Sequence, residues 1–109
     1  MPAESQASVE IDLLEANDAE FVAAFDKLYA QTWGDGAIPV KYKELLGVAL
    51  SVVIRCEPRL SYHIKRAWAE QAVRAEFVEA IRLGILSAGS PTIPTARHGY
   101  RVLRELGVV

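Results

Sequence analysis

The stretch VKYKELLGVALSVVIRCEPRLSYHIK, residues 40–65, decides the fold. After Glu44 it is apolar almost all round as far as Ile54. A helix with that pattern belongs inside, so residues 39–55 are predicted to form the central, most buried helix of the molecule. The β-branched end Val52, Val53, Ile54 also suits a strand, but no turn-bounded partner strand follows it. Cys56, Glu57 and Pro58 then interrupt the run. Proline fits the first turn of a helix, where its missing N–H has no intrahelical partner, so a second helix is expected over RLSYHIKRAWAEQA, residues 59–72.

Working outward, the same logic yields helices on both sides. NDAEFVAAFDKLYAQTW, residues 17–33, has Asn17 and Glu20 at capping-box spacing, and Phe21, Phe25, Leu28 and Tyr29 in an apolar stripe. GDGAIP, residues 34–39, breaks it. RAEFVEAIRLGILS, residues 74–87, places Phe77, Ile81, Ile85 and Leu86 on one side. AGSP punctuates, and TARHGYRVLREL, residues 95–106, is the last helix, with Gly99 weakening its continuity. The reading is an all-α single-domain bundle of about five to six helices. One domain is expected over residues 1–109, with an N-terminal arm and helix over 1–35 and a core over 36–109.

Composition agrees with a folded chain. It is 51% hydrophobic and 24% charged over 109 residues, enough for one modest core. No apolar run reaches the roughly 18 residues a membrane span needs. The acidic start MPAESQASVEIDLLEAND lacks the pattern of a signal peptide. One cysteine cannot form an internal disulfide, so a reducing, cytoplasmic setting is expected. Residues 1–36 hold eight acids against Lys27, a net −7, and the remainder is +5. The bases are spread along predicted helices without a nucleic-acid motif, so no nucleic acid is expected as a partner. Docking of the acidic part on the basic part, within or between chains, is the more economical use of that asymmetry.

Three residues carry the candidate chemistry. Cys56 lies just ahead of a helix N-terminus, where unpaired N–H groups favour a thiolate; equally, free cysteine is among the most buried residue types and often inert. His63 follows seven residues later, two helical turns or about 10 Å along an axis, so a direct hydrogen bond needs the chain to curl at Glu57–Pro58, or a water relay. Glu44 precedes the apolar run and needs a partner if buried; antiparallel neighbouring helices would set it near His63. His63 and His98 are far apart and lack metal-ligand spacing with Cys56, so no metal and no cofactor are expected.

These residues resemble the carboxymuconolactone decarboxylase and alkyl hydroperoxidase D-like family over about residues 36–92. The carrying features are Lys43-Glu44-Leu45 opening a long apolar helix, Cys56 at its end, His63 seven further on, Glu76, Phe77, Glu79 and Ala80 in an acidic helix, and Gly89-Ser90-Pro91. The resemblance implies an all-helical, obligate homo-oligomer, commonly a trimer or hexamer. It also implies Glu44, Cys56 and His63 as the proton relay of the family's thiol-redox branch. In that branch a second cysteine attacks peroxide, and Arg59 stands in its place. The decarboxylase branch usually has a glutamate there. Val53 replaces another frequent glutamate, and Gln71-Ala72-Val73 replaces a favoured helix cap.

Three readings follow. In the first, Cys56 is a single-cysteine peroxide-reducing thiolate, with His63 and Glu44 as proton relay and an external thiol as reductant. In the second, His63 is the general acid/base of a lyase on a small carboxylated substrate held by Arg59. In the third, the polar residues only fix packing in a helical assembly. Tyr29, Trp33, Trp68 and Tyr100 are expected at subunit contacts or in the core.

Overall fold

The computed structural model describes residues 12–109. All regular structure among them is helical: α1 Leu13–Asn17, α2 Ala19–Trp33, α3 Val40–Val53, α4 Glu57–Ala69, α5 Arg74–Ala88, a 3-10 turn Ser90–Thr92, and α6 Ile93–Glu105. The run Val52–Ile54 ends α3 and is not a strand. The chain divides into two compact units, one up to Gly34 and one over Asp35–Val109.

In the first unit, α1 exists because the Asp12 carboxylate accepts hydrogen bonds from the Leu14 and Glu15 N–H groups. That cap displaces the expected capping box: Asn17 ends α1, and its side chain donates to the Leu13 carbonyl. Asp18 is the N-cap of α2 without a side-chain bond. Along α2 the rings of Phe21, Phe25, Tyr29 and Trp33 form a ladder with centroids 5.7–6.2 Å apart.

In the second unit, α3 packs against both α4 and α5, and α4 packs against α6. The core is Leu45, Val48, Val52, Leu60, Ile64, Ala67, Ala72, Phe77, Ala80, Ile81, Ala96, Val102 and Leu103. Gly84 lets α5 approach α3 closely, since a Cβ there would lie 2.7 Å from that of Val52. The last helix runs unbroken through Gly99, which packs against Leu60, Ile64 and Ile81. Its glycine therefore serves interhelix contact and does not end the helix.

The turns have a common design. After α3, α4 and α6 the chain enters the left-handed region at Arg55 (φ 56°), Gln71 (φ 67°) and Gly107 (φ 78°). In each case the next N–H reaches back five residues: Cys56 to Ser51, Ala72 to Ala67, and Val108 to Leu103. These are Schellman turns, which satisfy carbonyls that a helix end leaves open. Two of the three use a non-glycine residue at the left-handed position, at a local cost of about 1–2 kcal/mol.

The outward face of α3 remains apolar, with Tyr42, Leu46, Leu50 and Ile54 exposed. The α3 helix is thus the central one, packed between α4 and α5, with one apolar face left exposed. Tyr42, Leu46, Ala49 and Leu83 line a groove between α3 and α5, flanked by Glu76 and Glu79.

The start of α5 shows how the absent cap is replaced. Val73 offers no side-chain oxygen, but its N–H donates to Glu76 Oε1 at 3.0 Å. Glu76 Oε2 pairs with Lys41 Nζ at 3.0 Å, joining α5 to α3. The Val73 N–H and then the Lys41 ammonium hold the Glu76 carboxyl below its ordinary value of 4.5, while the bond to Glu76 raises Lys41. A lowered carboxyl contributes stability above its unfolded-state value and loses it as pH falls through the folded-state value. Glu76→Gln is therefore expected to lower the melting temperature at neutral pH. The gap to wild type should narrow below pH 4.5 in thermal melts. A gap that stays constant across that range would contradict the assigned bonds.

Candidate functional site

Glu44 lies on α3 and His63 on α4, and both are 1% exposed. The crossing of the two helices sets Glu44 Oε2 2.8 Å from His63 Nδ1. An ionised carboxylate has only lone pairs to offer, so the proton is assigned to Nδ1, which donates to Glu44. The second carboxylate oxygen, Oε1, faces Arg66 Nε at 3.7 Å. Arg66 is half exposed and sits one turn beyond His63 on α4, so it supplies positive charge at the rim without being buried itself.

Gly47 makes this geometry possible. It lies three residues after Glu44 on the same stripe of α3, directly against the imidazole. A Cβ built there would stand 2.6 Å from the His63 ring, closer than real carbon atoms approach. One turn further, Ser51 donates its hydroxyl to the Gly47 carbonyl at 2.7 Å, so that buried oxygen is satisfied within its own helix. The ring of Tyr62 meets His63 edge-on, with centroids 5.2 Å apart.

Cys56 occupies a different position. It is the N-cap of α4 and half-buried, and its thiol makes no capping hydrogen bond. Pro58 in the first turn removes one of the N–H groups an N-cap side chain normally uses. The bend between α3 and α4 falls at Ile54–Cys56, where Arg55 is left-handed, and not at Glu57–Pro58. From Glu57 onward α4 is continuous, so sulfur and imidazole are carried about two helical turns apart. Among the described residues, no hydrogen bond joins the Cys56 thiol to Glu44 or His63. Arg59 is exposed on α4, and the guanidinium that meets Glu44 belongs to Arg66.

The structure thus brings Glu44 and His63 together and leaves Cys56 at the N-cap and Arg59 in the first turn of α4. Sequence reasoning missed Arg66 and Gly47. The signal for each was helical spacing: Arg66 is i+3 from His63, and Gly47 is i+3 from Glu44. Chemically, a carboxylate that fixes the tautomer and orientation of a histidine is the arrangement used for general acid–base work.

A model of the carboxymuconolactone decarboxylase family matches residues 19–102 of the chain. A carboxymuconolactone decarboxylase family protein of Thermotoga maritima, for which involvement in an antioxidative response has been suggested, is similar in crystal structure. It shows 34% identity and a TM-score of 0.75, covering 78% of this chain and 88% of that one. A carboxymuconolactone decarboxylase family protein of Legionella pneumophila, at 24% identity and TM-score 0.80, covers 93% of this chain and 90% of its own, and shows the same fold. An uncharacterized protein of Cupriavidus necator is 30% identical over 70 residues, 64% of this chain; the match spans 62% of that relative's length.

The close approach at Gly47 yields a direct test. Gly47→Ala is expected to destabilise the fold by about 1–3 kcal/mol in denaturant titration, because the ring it would strike is pinned by Glu44. Pairing it with His63→Ala should recover part of that loss, since the clash and the ring disappear together. Strictly additive losses would contradict the contact.

Proposed function

The chain belongs to the carboxymuconolactone decarboxylase family, and from that premise we propose that it reduces peroxides through one thiol, Cys56. The observation that carries the reading is the position of Cys56: half-buried at the open N-terminus of α4, with His63 further along the same helix and oriented by Glu44 from α3. The suggested antioxidative role of the Thermotoga maritima relative points the same way.

In the proposed cycle the Cys56 thiolate attacks one peroxide oxygen. The O–O bond breaks, a sulfenic acid forms, and the leaving alkoxide or hydroxide takes up a proton. His63 Nε2 first takes up the Cys56 thiol proton and then returns it to the leaving oxygen, both through intervening water, because the two side chains are about two helical turns apart. Glu44 holds the imidazole in place, and Arg66 balances the carboxylate charge. With Arg59 where the redox branch has its attacking cysteine, no internal disulfide can form. An external thiol therefore attacks the sulfenic sulfur, releasing water and giving a mixed disulfide, and a second thiol frees Cys56. Arg59 and the open end of α4 supply positive charge beside the reacting sulfur.

A second reading is favoured by the separation of Cys56 from His63. Here the Glu44–His63 pair is the acid–base centre of a lyase on a small carboxylated substrate, with Arg59 as carboxylate anchor. In either reading the exposed apolar face of α3 supports assembly as a homo-oligomer, a trimer or hexamer.

Peroxide treatment with a sulfenate trap, read by mass spectrometry, separates the two. The thiol reading expects an adduct at Cys56 at low peroxide, formed at least about tenfold more slowly in His63→Gln. Absence of any Cys56 adduct ends that reading. A carboxylate-dependent activity that survives Cys56→Ser and disappears in His63→Gln would establish the second.

A further inference from the structure

A second polar relay crosses the bundle between α4 and α6. Ser61 Oγ lies 2.7 Å from His98 Nε2, and His98 Nδ1 lies 3.6 Å from Glu57 Oε2. Hydroxyl, imidazole and carboxylate stand in the order of a nucleophile, its base, and the group that orients the base. Glu57 and Ser61 are one turn apart on one stripe of α4, and His98 reaches both from α6. The crossing that holds them is a close one, because the neighbouring Gly99 packs against Leu60 and Ile64 in the core.

The behaviour of the other hydroxyls makes Ser61 stand out. Thr32, Ser51 and Ser87 each donate to the carbonyl four residues back in their own helix. That is the usual satisfaction of a helical hydroxyl. Ser61 turns instead to a histidine 37 residues away in sequence. The charge of the Glu57 carboxylate, 3.6 Å from Nδ1 and outside hydrogen-bond distance, favours a ring proton on Nδ1, which leaves Nε2 as an acceptor. The Ser61 O–H therefore donates to Nε2, the direction required of a general base about to remove that proton.

We propose that Ser61, His98 and Glu57 form a serine-centred acyl-transfer site, separate from the Glu44–His63 pair, that accepts small activated esters. The site opens at the surface, since Glu57 is 52% exposed and His98 is 23% exposed, which suits a small acyl group. Ser61 Oγ attacks the ester carbonyl while its proton passes to His98 Nε2. The C–O bond to the leaving group breaks, and His98 returns the proton to the departing alcohol. Water, activated by the same nitrogen, then hydrolyses the acyl-serine to a carboxylic acid and restores Ser61. Lys65 and Arg101 are exposed cations one turn along from Ser61 and His98 on their helices.

An alkyl fluorophosphonate tests this directly, because its capture is the same attack with fluoride as leaving group. Peptide mapping of the intact protein is expected to find the phosphonyl group on Ser61. The labelling rate should fall at least about tenfold in His98→Gln and by a smaller factor in Glu57→Gln. Circular dichroism establishes that each variant is folded, and Ser61→Ala serves as the unlabelled control. No Ser61 adduct on wild-type protein at millimolar probe would overturn the proposal and leave the contacts as an interhelix strap. An adduct formed equally fast in folded His98→Gln would overturn it too.

Discussion

The architecture depends on the close passage of α3 over α4 at Gly47. A side chain at that position would occupy the space of the His63 imidazole. Without one, the helices approach until a carboxylate on one meets an imidazole on the other at 2.8 Å, both out of water. Burying such groups singly is costly, and truncating one partner of a buried pair typically costs about 3–5 kcal/mol. Pairing is therefore a condition of packing here as much as a feature of chemistry. Helix spacing, carboxylate orientation and histidine tautomer are fixed by one contact.

The candidate groups stand at different depths around that contact. The polar pair is deep, while Cys56 sits at the end of α4, where the left-handed Arg55 has turned the chain. Depth gives the histidine a fixed orientation; the helix end gives the sulfur a partly open surface and nearby positive charge. A proton relay between them needs water or substrate as its middle member. On the far side of α4 the histidine of α6 is nearer the surface and directly engaged with a hydroxyl. One helix thus presents two histidine-centred arrangements, one buried and one at the surface.

Much of this was legible from residue order alone. Apolar periodicity and Gly/Pro punctuation located the main helices to within a few residues, because each must bury one stripe and each must stop somewhere. The meeting of Glu44 with His63 was anticipated from antiparallel neighbours, since a carboxylate before an apolar run demands a partner. Other features were hidden for definite reasons. Arg55 and Gln71 adopt a backbone conformation that favours glycine, so nothing in their identity announces a Schellman turn. Asp12 capped a short helix where the sequence suggested only an acidic arm. Arg66 and Arg59 both lie on α4, and only the crossing angle selects which approaches Glu44. Ser61 and His98 are joined by tertiary packing, which local spacing does not encode.

The most direct test of the central contact is nitrogen-15 NMR of the His63 ring. Long-range proton–nitrogen correlations report which nitrogen carries the proton and how fast that proton exchanges with water. The account predicts a single Nδ1–H tautomer at neutral pH, with a slowly exchanging, downfield ring proton that disappears as a distinct resonance in Glu44→Gln. A ring protonated at Nε2 alone, or one averaging rapidly between tautomers in the wild-type protein, would contradict it.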